Sequence, residues 1–299
     1  VTQLRELRSD DLRRWRGLDE VHAALDLAEE CGARPLAVAT TREGRDVRGV
    51  ELGPTDGPAA LVLGGIHALE WIGVEVALGL LGSLLTDAPR RRVLVVPVVN
   101  ADGYAWVEAE LRAGRAPYAR GNAANVDLNR NWPTHWRTTG LPQRLLGFLG
   151  SAGTGPRSEP EIDGLCALVD PIARGPGLAR ALSLHSVGNK LLTPYGGRWR
   201  RPLGADRHDS AAAAVRQRLD GRYALTTPAR WVPGLFAYGM ELDHFHTWGA
   251  VGLLVECTAG GFDWTDPATW AHPFRWFNPP DPEPHVRELT RALRPFLEE

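Results

Sequence analysis

Cysteine is scarce. Of 299 residues only Cys31, Cys166 and Cys257 carry a thiol, and they stand far apart. The odd count and the lack of any C-x-x-C pair speak against a disulfide framework and for a reducing compartment. Long apolar runs are missing as well. No stretch reaches the ~20 residues needed to cross a bilayer, so a membrane is not an expected partner. The opening VTQLRELRSDDLRRW has no apolar h-region and so no secretory signal. A cytoplasmic location is expected, with a processed secreted form as the alternative. Charge of one sign is not in excess: the formal net charge is −2. The short Arg runs at 90–92 and 198–201 read as solvated surface, so nucleic acid is not an expected partner. Repeats, low-complexity segments and composition breaks are also absent. One domain over 1–299 is expected, with no prodomain before Trp15. Nothing in the sequence sets the oligomeric state.

What is present is the composition of a globular chain, 43% hydrophobic and 23% charged, long enough to bury a core unaided. Residues 18–32 have helical periodicity and end at a glycine. Residues 36–41 and 47–53 read as strands around a hairpin turn. AALVLGG at 59–65 and RVLVVPVVN at 92–100 read as buried strands, with a helix from Ile72 to Leu85 between them. Strand, helix, strand with continuous apolar strands indicates a parallel or mixed sheet covered on both faces. Residues 103–160 have little periodicity and read as a long functional loop. A Ser-capped helix follows at 158–172, a strand at 181–186, a helix at 210–221, a strand at 251–258 and an amphipathic closing helix.

His-x-x-Glu occurs twice, at His67–Glu70 and His285–Glu288. With nine histidines and 36 acidic residues, composition alone can produce that spacing. Context separates the two. His285 follows PPDPEP at a helix start and reads as a solvated face. His67 follows a buried strand and a glycine pair, where open α/β sheets bind ligands. Other strand ends carry polar groups too: Asn100, His185 and Glu256. Two histidines and a glutamate form a standard catalytic zinc set. His67, Glu70 and His185 are therefore the candidate ligands. Glu256 is the candidate general base toward water.

These residues lie in segments that resemble the M14 (carboxypeptidase A-like) zinc carboxypeptidases. The segments are GGIHALEWIGVE, VNADGYAW, NVDLNRNWP, SEPE, LSLHS and LLVECT, in family order over about residues 15–299. The resemblance implies a single α/β/α domain with a mixed, twisted, roughly eight-stranded sheet and helices on both faces. It implies one Zn2+ per chain and hydrolysis of the C-terminal amide bond of a peptide or peptide-like substrate, by Glu256-assisted attack of zinc-bound water. Asn129 and Arg130 would bind the substrate's free carboxylate, a task suited to an amide beside a guanidinium fork. Arg112 would hold the oxyanion, standing 18 residues before Arg130 as in the family; Arg115 and Arg120 are the alternatives. Tyr238 would close over substrate, and Asp127 would orient His67.

The chain departs from the family pattern at Leu69, where many relatives have Arg, and at Val187, where Tyr is common. Both changes reshape the subsites upstream of the scissile bond. Within 239–245, Leu242 would line the specificity pocket and favour an apolar C-terminal residue; a slip of register would put Glu241 or Asp243 there and favour a basic one. His244 and His246 read as solvent-side packing rather than a second metal site. Two rival readings remain: an aspartoacylase-like deacylase of N-acyl amino acids, and an inactive peptide-binding homologue.

Overall fold

The computed structural model describes residues 14–138, 150–231, 236–265 and 267–299. Helix α1 (Leu18–Glu30) starts where the Glu20 carboxylate accepts the Gly17 N–H at 2.6 Å. It buries Leu18, Val21, Leu25 and Ala28, the i, i+3, i+7 stripe of a helix laid on a core. Strands β1 (Arg34–Thr40) and β2 (Asp46–Leu52) form the expected antiparallel hairpin. The sheet then continues through β3 (Ala59–Leu63), β4 (Val93–Val96), β5 (Leu178–His185), β6 (Lys190–Leu192), β7 (Ala224–Thr226) and β8 (Val251–Glu256).

The eight strands run in the order β1-β2-β4-β3-β5-β8-β6-β7. The central four, β4-β3-β5-β8, are mutually parallel, and antiparallel pairs join β2 to β4 and β6 to β8. Every residue of β3, β4 and β8 is buried, as expected of strands covered on both faces. Helix α2 (Trp71–Thr86) and the closing helix pack on one another and on the sheet. From β3 the chain pairs with β4 on one side and β5 on the other. That reversal opens a crevice at the carboxyl ends of the strands.

Helix α3 (Ala101–Arg112) falls where the sequence reads as a loop. Asn100 caps it by accepting the Gly103 N–H at 2.9 Å. Helix α4 (Pro160–Arg174) begins at Glu159, not Ser158; the Ser158 hydroxyl accepts from Asn131 instead. Then come α5 (Ala205–Arg218), α6 (Glu241–Thr247) and the closing helix α7 (Glu283–Glu298). Glu288, of the second His-x-x-Glu, pairs with Arg222. Among the described residues no helix is long and apolar enough to cross a membrane.

Two glycines set the approach to the crevice. Gly65, at φ 58°, takes the left-handed conformation that lets the chain leave β3. A Cβ on Gly73 would lie 2.4 Å from the Leu184 carbonyl oxygen, so this glycine lets α2 sit directly on β5.

His244 and His246 are not solvent-side packing. His244 is buried, with Nδ1 2.7 Å from the Thr134 hydroxyl, while the His246 ring turns to His208 at 3.1 Å. Burial pushes the pKa of both His208 and His244 down to about 4. The unfolded chain therefore protonates first as pH falls. This contribution to stability is full above about pH 6.5 and is lost toward pH 4. Thermal melts of metal-free protein across that window should show Tm falling with pH, and less steeply in His208→Gln; parallel slopes would contradict this account.

Candidate metal centre and active site

Each candidate ligand is delivered by the end of a strand. β3 ends at Leu63, and the chain turns through Gly64 and Gly65 to His67. His67 and Glu70 then form a tight turn, closed by the Glu70 N–H donating to the His67 carbonyl at 3.2 Å. Glu70 is the N-cap residue of α2, where a helix end favours negative charge. His185 closes β5, and its register partner on β8 is Glu256. All four side chains are buried.

Three of them converge. His67 Nδ1 lies 2.8 Å from Glu70 Oε1, His185 Nδ1 lies 2.9 Å from Glu70 Oε2, and the two Nδ1 atoms are 3.2 Å apart. Among the described residues this is the one cluster of three or more His, Cys, Asp or Glu groups suited to a metal. The remaining nitrogens face carboxylates: His67 Nε2 to Asp127 at 3.1 Å, and His185 Nε2 to Glu241 at 2.9 Å. A ring that donates from Nε2 turns its Nδ1 lone pair inward. Two such lone pairs and a carboxylate face one another, an arrangement a divalent cation satisfies. Both histidines thus have the carboxylate support usual for metal-bound imidazole. The donor set, two nitrogens and a carboxylate, suits zinc.

The same crowding sets the electrostatics. Burial alone would raise the Glu70 pKa, but His67 and then His185 hold it well below the usual carboxylate range. Burial opposes charge on His185 too, yet Glu70 and Glu241 push its pKa up to about 10. For Glu256, burial and then the Glu70 charge push the pKa up to about 8. One Glu256 oxygen, Oε2, is buried with no hydrogen-bond partner among the described residues.

These groups open on one cavity of about 440 Å3. Asn129, Arg130 and Tyr238 line it with His67, Glu70, Asp127, His185 and Glu256. Arg130 donates to the Asn129 carbonyl at 2.6 Å, and Arg137 stacks over the Tyr238 ring at 4.3 Å. Apolar side chains also line it, among them Leu192, Pro228, Trp231, Phe236, Met240 and Leu254.

Two expected residues are elsewhere. Arg112 ends α3, half-exposed and paired one helical turn back with Glu108 at 2.8 Å. Arg115 is likewise exposed and paired with Glu110. Arg120 is the one of the three that lines the cavity, 2.7 Å from Asp127 and 3.7 Å from Glu70. The 18-residue count misleads because α3 runs on through Arg112 and carries it off the crevice. Leu242 is also not on the cavity wall. It is fully buried, packed toward Gly252 of β8. Nor do the acidic alternatives line the pocket: Asp243 accepts the Gly196 and Gly197 N–H groups, and Glu241 bonds His185 and Asn129.

A mixed eight-stranded sheet with a His, Glu, His cluster and a free carboxylate at its switch point defines a metallohydrolase class. Comparison with known proteins narrows it. The family model described as zinc carboxypeptidase matches residues 26–252, and the chain belongs to that family. It is 34% identical to bovine carboxypeptidase O over 44% of this chain and 38% of that protein. It is 33% identical to zinc carboxypeptidase A 1 of Anopheles gambiae, over 62% of this chain and 46% of that protein. The matched region thus spans less than half of these curated relatives. The fold is similar to that of bovine thrombin-activatable fibrinolysis inhibitor, solved in complex with a tick carboxypeptidase inhibitor. There the TM-score is 0.74 at 19% identity, covering 95% of this chain and 96% of that one.

A metal joined to these donors stabilises only the folded chain, by about 2.7 kcal/mol at a hundredfold excess over Kd. Adding zinc to metal-free protein should raise Tm by several degrees, and should leave Tm unmoved in His67→Ala. An equal rise in that variant would place the ion elsewhere.

Proposed function

We propose that the protein is a zinc-dependent metallocarboxypeptidase that hydrolyses the C-terminal amide bond of peptides ending in an apolar residue. The observation that carries this reading is the meeting of two features in one cavity. The His67, Glu70, His185 cluster and Glu256 line it together with Asn129, Arg130 and a set of apolar side chains. An exopeptidase must anchor a free carboxylate at a fixed distance from its reacting centre. An amide and a guanidinium side by side are suited to that anchor.

Held by His67, Glu70 and His185, zinc would supply Lewis acidity to the scissile carbonyl and to water. Asn129 and Arg130 bind the terminal carboxylate and direct the last side chain toward Met240, Leu192 and Leu254. Among the described residues the acidic side chains lining the cavity are Glu70, Asp127 and Glu256, a metal ligand, the partner of His67 and the base, so none of them is left to favour a basic terminal residue. Glu256 removes a proton from the attacking water through its unpartnered oxygen, and later gives that proton to the leaving amine as the C–N bond breaks. With a divalent cation held by the three ligands, Glu256 would stay ionised as a base despite its burial. Arg120, fixed by Asp127, offers its guanidinium to the developing oxyanion. Tyr238, under Arg137, covers the bound residue.

A panel of blocked dipeptides that vary in the C-terminal residue tests this. Release of free Phe or Leu should exceed release of Arg or Asp, and a chelator should abolish it. Glu256→Gln should lower kcat about 100-fold or more. Arg120→Gln should lower kcat by a similar factor, while Arg112→Gln stays at the wild-type rate. Hydrolysis of N-acyl amino acids with no release from any dipeptide would replace this reading with a deacylase one.

A further inference from the structure

Glu241 is the first residue of α6 and is completely buried. Its Oε1 makes two contacts at once, 2.9 Å to His185 Nε2 and 3.0 Å to Asn129 Nδ2. Its backbone N–H donates to Asn129 Oδ1 at 3.2 Å. The Asn129 amide is therefore clasped at both ends by one residue, which fixes which end is oxygen and which is nitrogen. One Nδ2 hydrogen goes to Glu241, leaving the second available to the cavity that Asn129 lines.

The same oxygen fixes His185. Accepting Nε2–H leaves the Nδ1 lone pair facing Glu70 and His67, where the ligand atoms converge. Ser183 Oγ also approaches Nε2, at 3.0 Å, but a hydroxyl can donate as well as accept. The carboxylate can only accept, and so it decides the tautomer. Glu241 is thus to His185 what Asp127 is to His67. Its other oxygen, Oε2, is buried with no hydrogen-bond partner among the described residues. A half-satisfied buried carboxylate is a poor way to stabilise a fold. An apolar side chain of the same length would fill that space at lower desolvation cost.

We propose that Glu241 is a positioning residue that ties the metal site to the substrate anchor through one oxygen atom. It sets the tautomer and ring angle of His185 on one side and the amide orientation of Asn129 on the other. The substrate half of this proposal rests on the carboxypeptidase reading; the metal half rests on the ligand cluster alone.

Two variants test it. Glu241→Met keeps the length and removes the acceptor. Glu241→Gln keeps an acceptor oxygen and removes the charge. Zinc affinity is measured by competition with a chromogenic chelator; kcat and KM are measured on a blocked dipeptide ending in Phe at saturating zinc. Glu241→Met should bind zinc about 10- to 100-fold more weakly. Its KM should rise about tenfold, the worth of one hydrogen bond to a charged group, with a smaller change in kcat. Glu241→Gln should recover KM while zinc binding stays weaker than in wild type. If Glu241→Met does not fold, weakened zinc binding in Glu241→Gln, at an unchanged metal-free Tm, carries the test. Zinc affinity within about twofold of wild type in the variants that fold would overturn the metal half. An unchanged KM in Glu241→Met would overturn the anchor half. If the wild type releases no C-terminal residue from any dipeptide, the carboxypeptidase reading and the anchor half fail together, and the zinc measurement still decides the metal half.

Discussion

Two imidazole nitrogens, from residues 118 positions apart in the chain, are held 3.2 Å from one another around the Glu70 carboxylate. Such a contact between lone pairs is unfavourable unless a proton or a cation lies between them. The surroundings make it persist. Asp127 and Glu241 face the outer nitrogens, so a ring that turned its lone pair outward would set that lone pair against a buried carboxylate. A proton on His185, whose pKa rises to about 10, or a divalent ion in its place satisfies the contact.

That contact needs a rigid frame. The parallel strands β3, β5 and β8 supply it, since their pairing fixes His185 beside Glu256 and brings the loop after β3 alongside. Gly73 lets α2 rest on the backbone of β5, so the helix that starts at Glu70 is tied to the strand that ends at His185. His67, Glu70, His185 and Glu256 therefore gather at the carboxyl ends of these strands. The apolar lining comes partly from the sheet, Leu192 of β6 and Leu254 of β8, and partly from residues outside it such as Pro228, Trp231 and Met240.

Much of this frame is legible in the sequence. Strands buried on both faces read as unbroken apolar runs, so β3, β4 and β8 stand out, and the polar residues at their ends can be named. Family motifs in order carry Asp127, Asn129 and Arg130 to the same place. What escapes is whatever depends on rotation about a helix axis or on loop length. Nothing in LRAGRAPYAR says that α3 persists through Arg112 and that only Arg120 turns back to the cavity. Nothing in GMELDHF says that a helix begins at Glu241, which sends Leu242 into the core and Glu241 under His185. The strands β6 and β7, three residues each, are too short to show a period. Helix α3 was hidden by Gly103, a residue that reads as a breaker but serves here as a close contact with the side chains of Asn100 and Ala68.

The most direct test is to locate the metal itself. Anomalous diffraction at the zinc edge, on crystals grown with equimolar zinc, reports where the ion sits and which atoms hold it. The account predicts one ion per chain, about 2.1 Å from Nδ1 of both His67 and His185 and bound by a Glu70 oxygen. An ion held through Nε2 of either histidine, or seated at the His208–His246 pair with the His67 site empty, would contradict it.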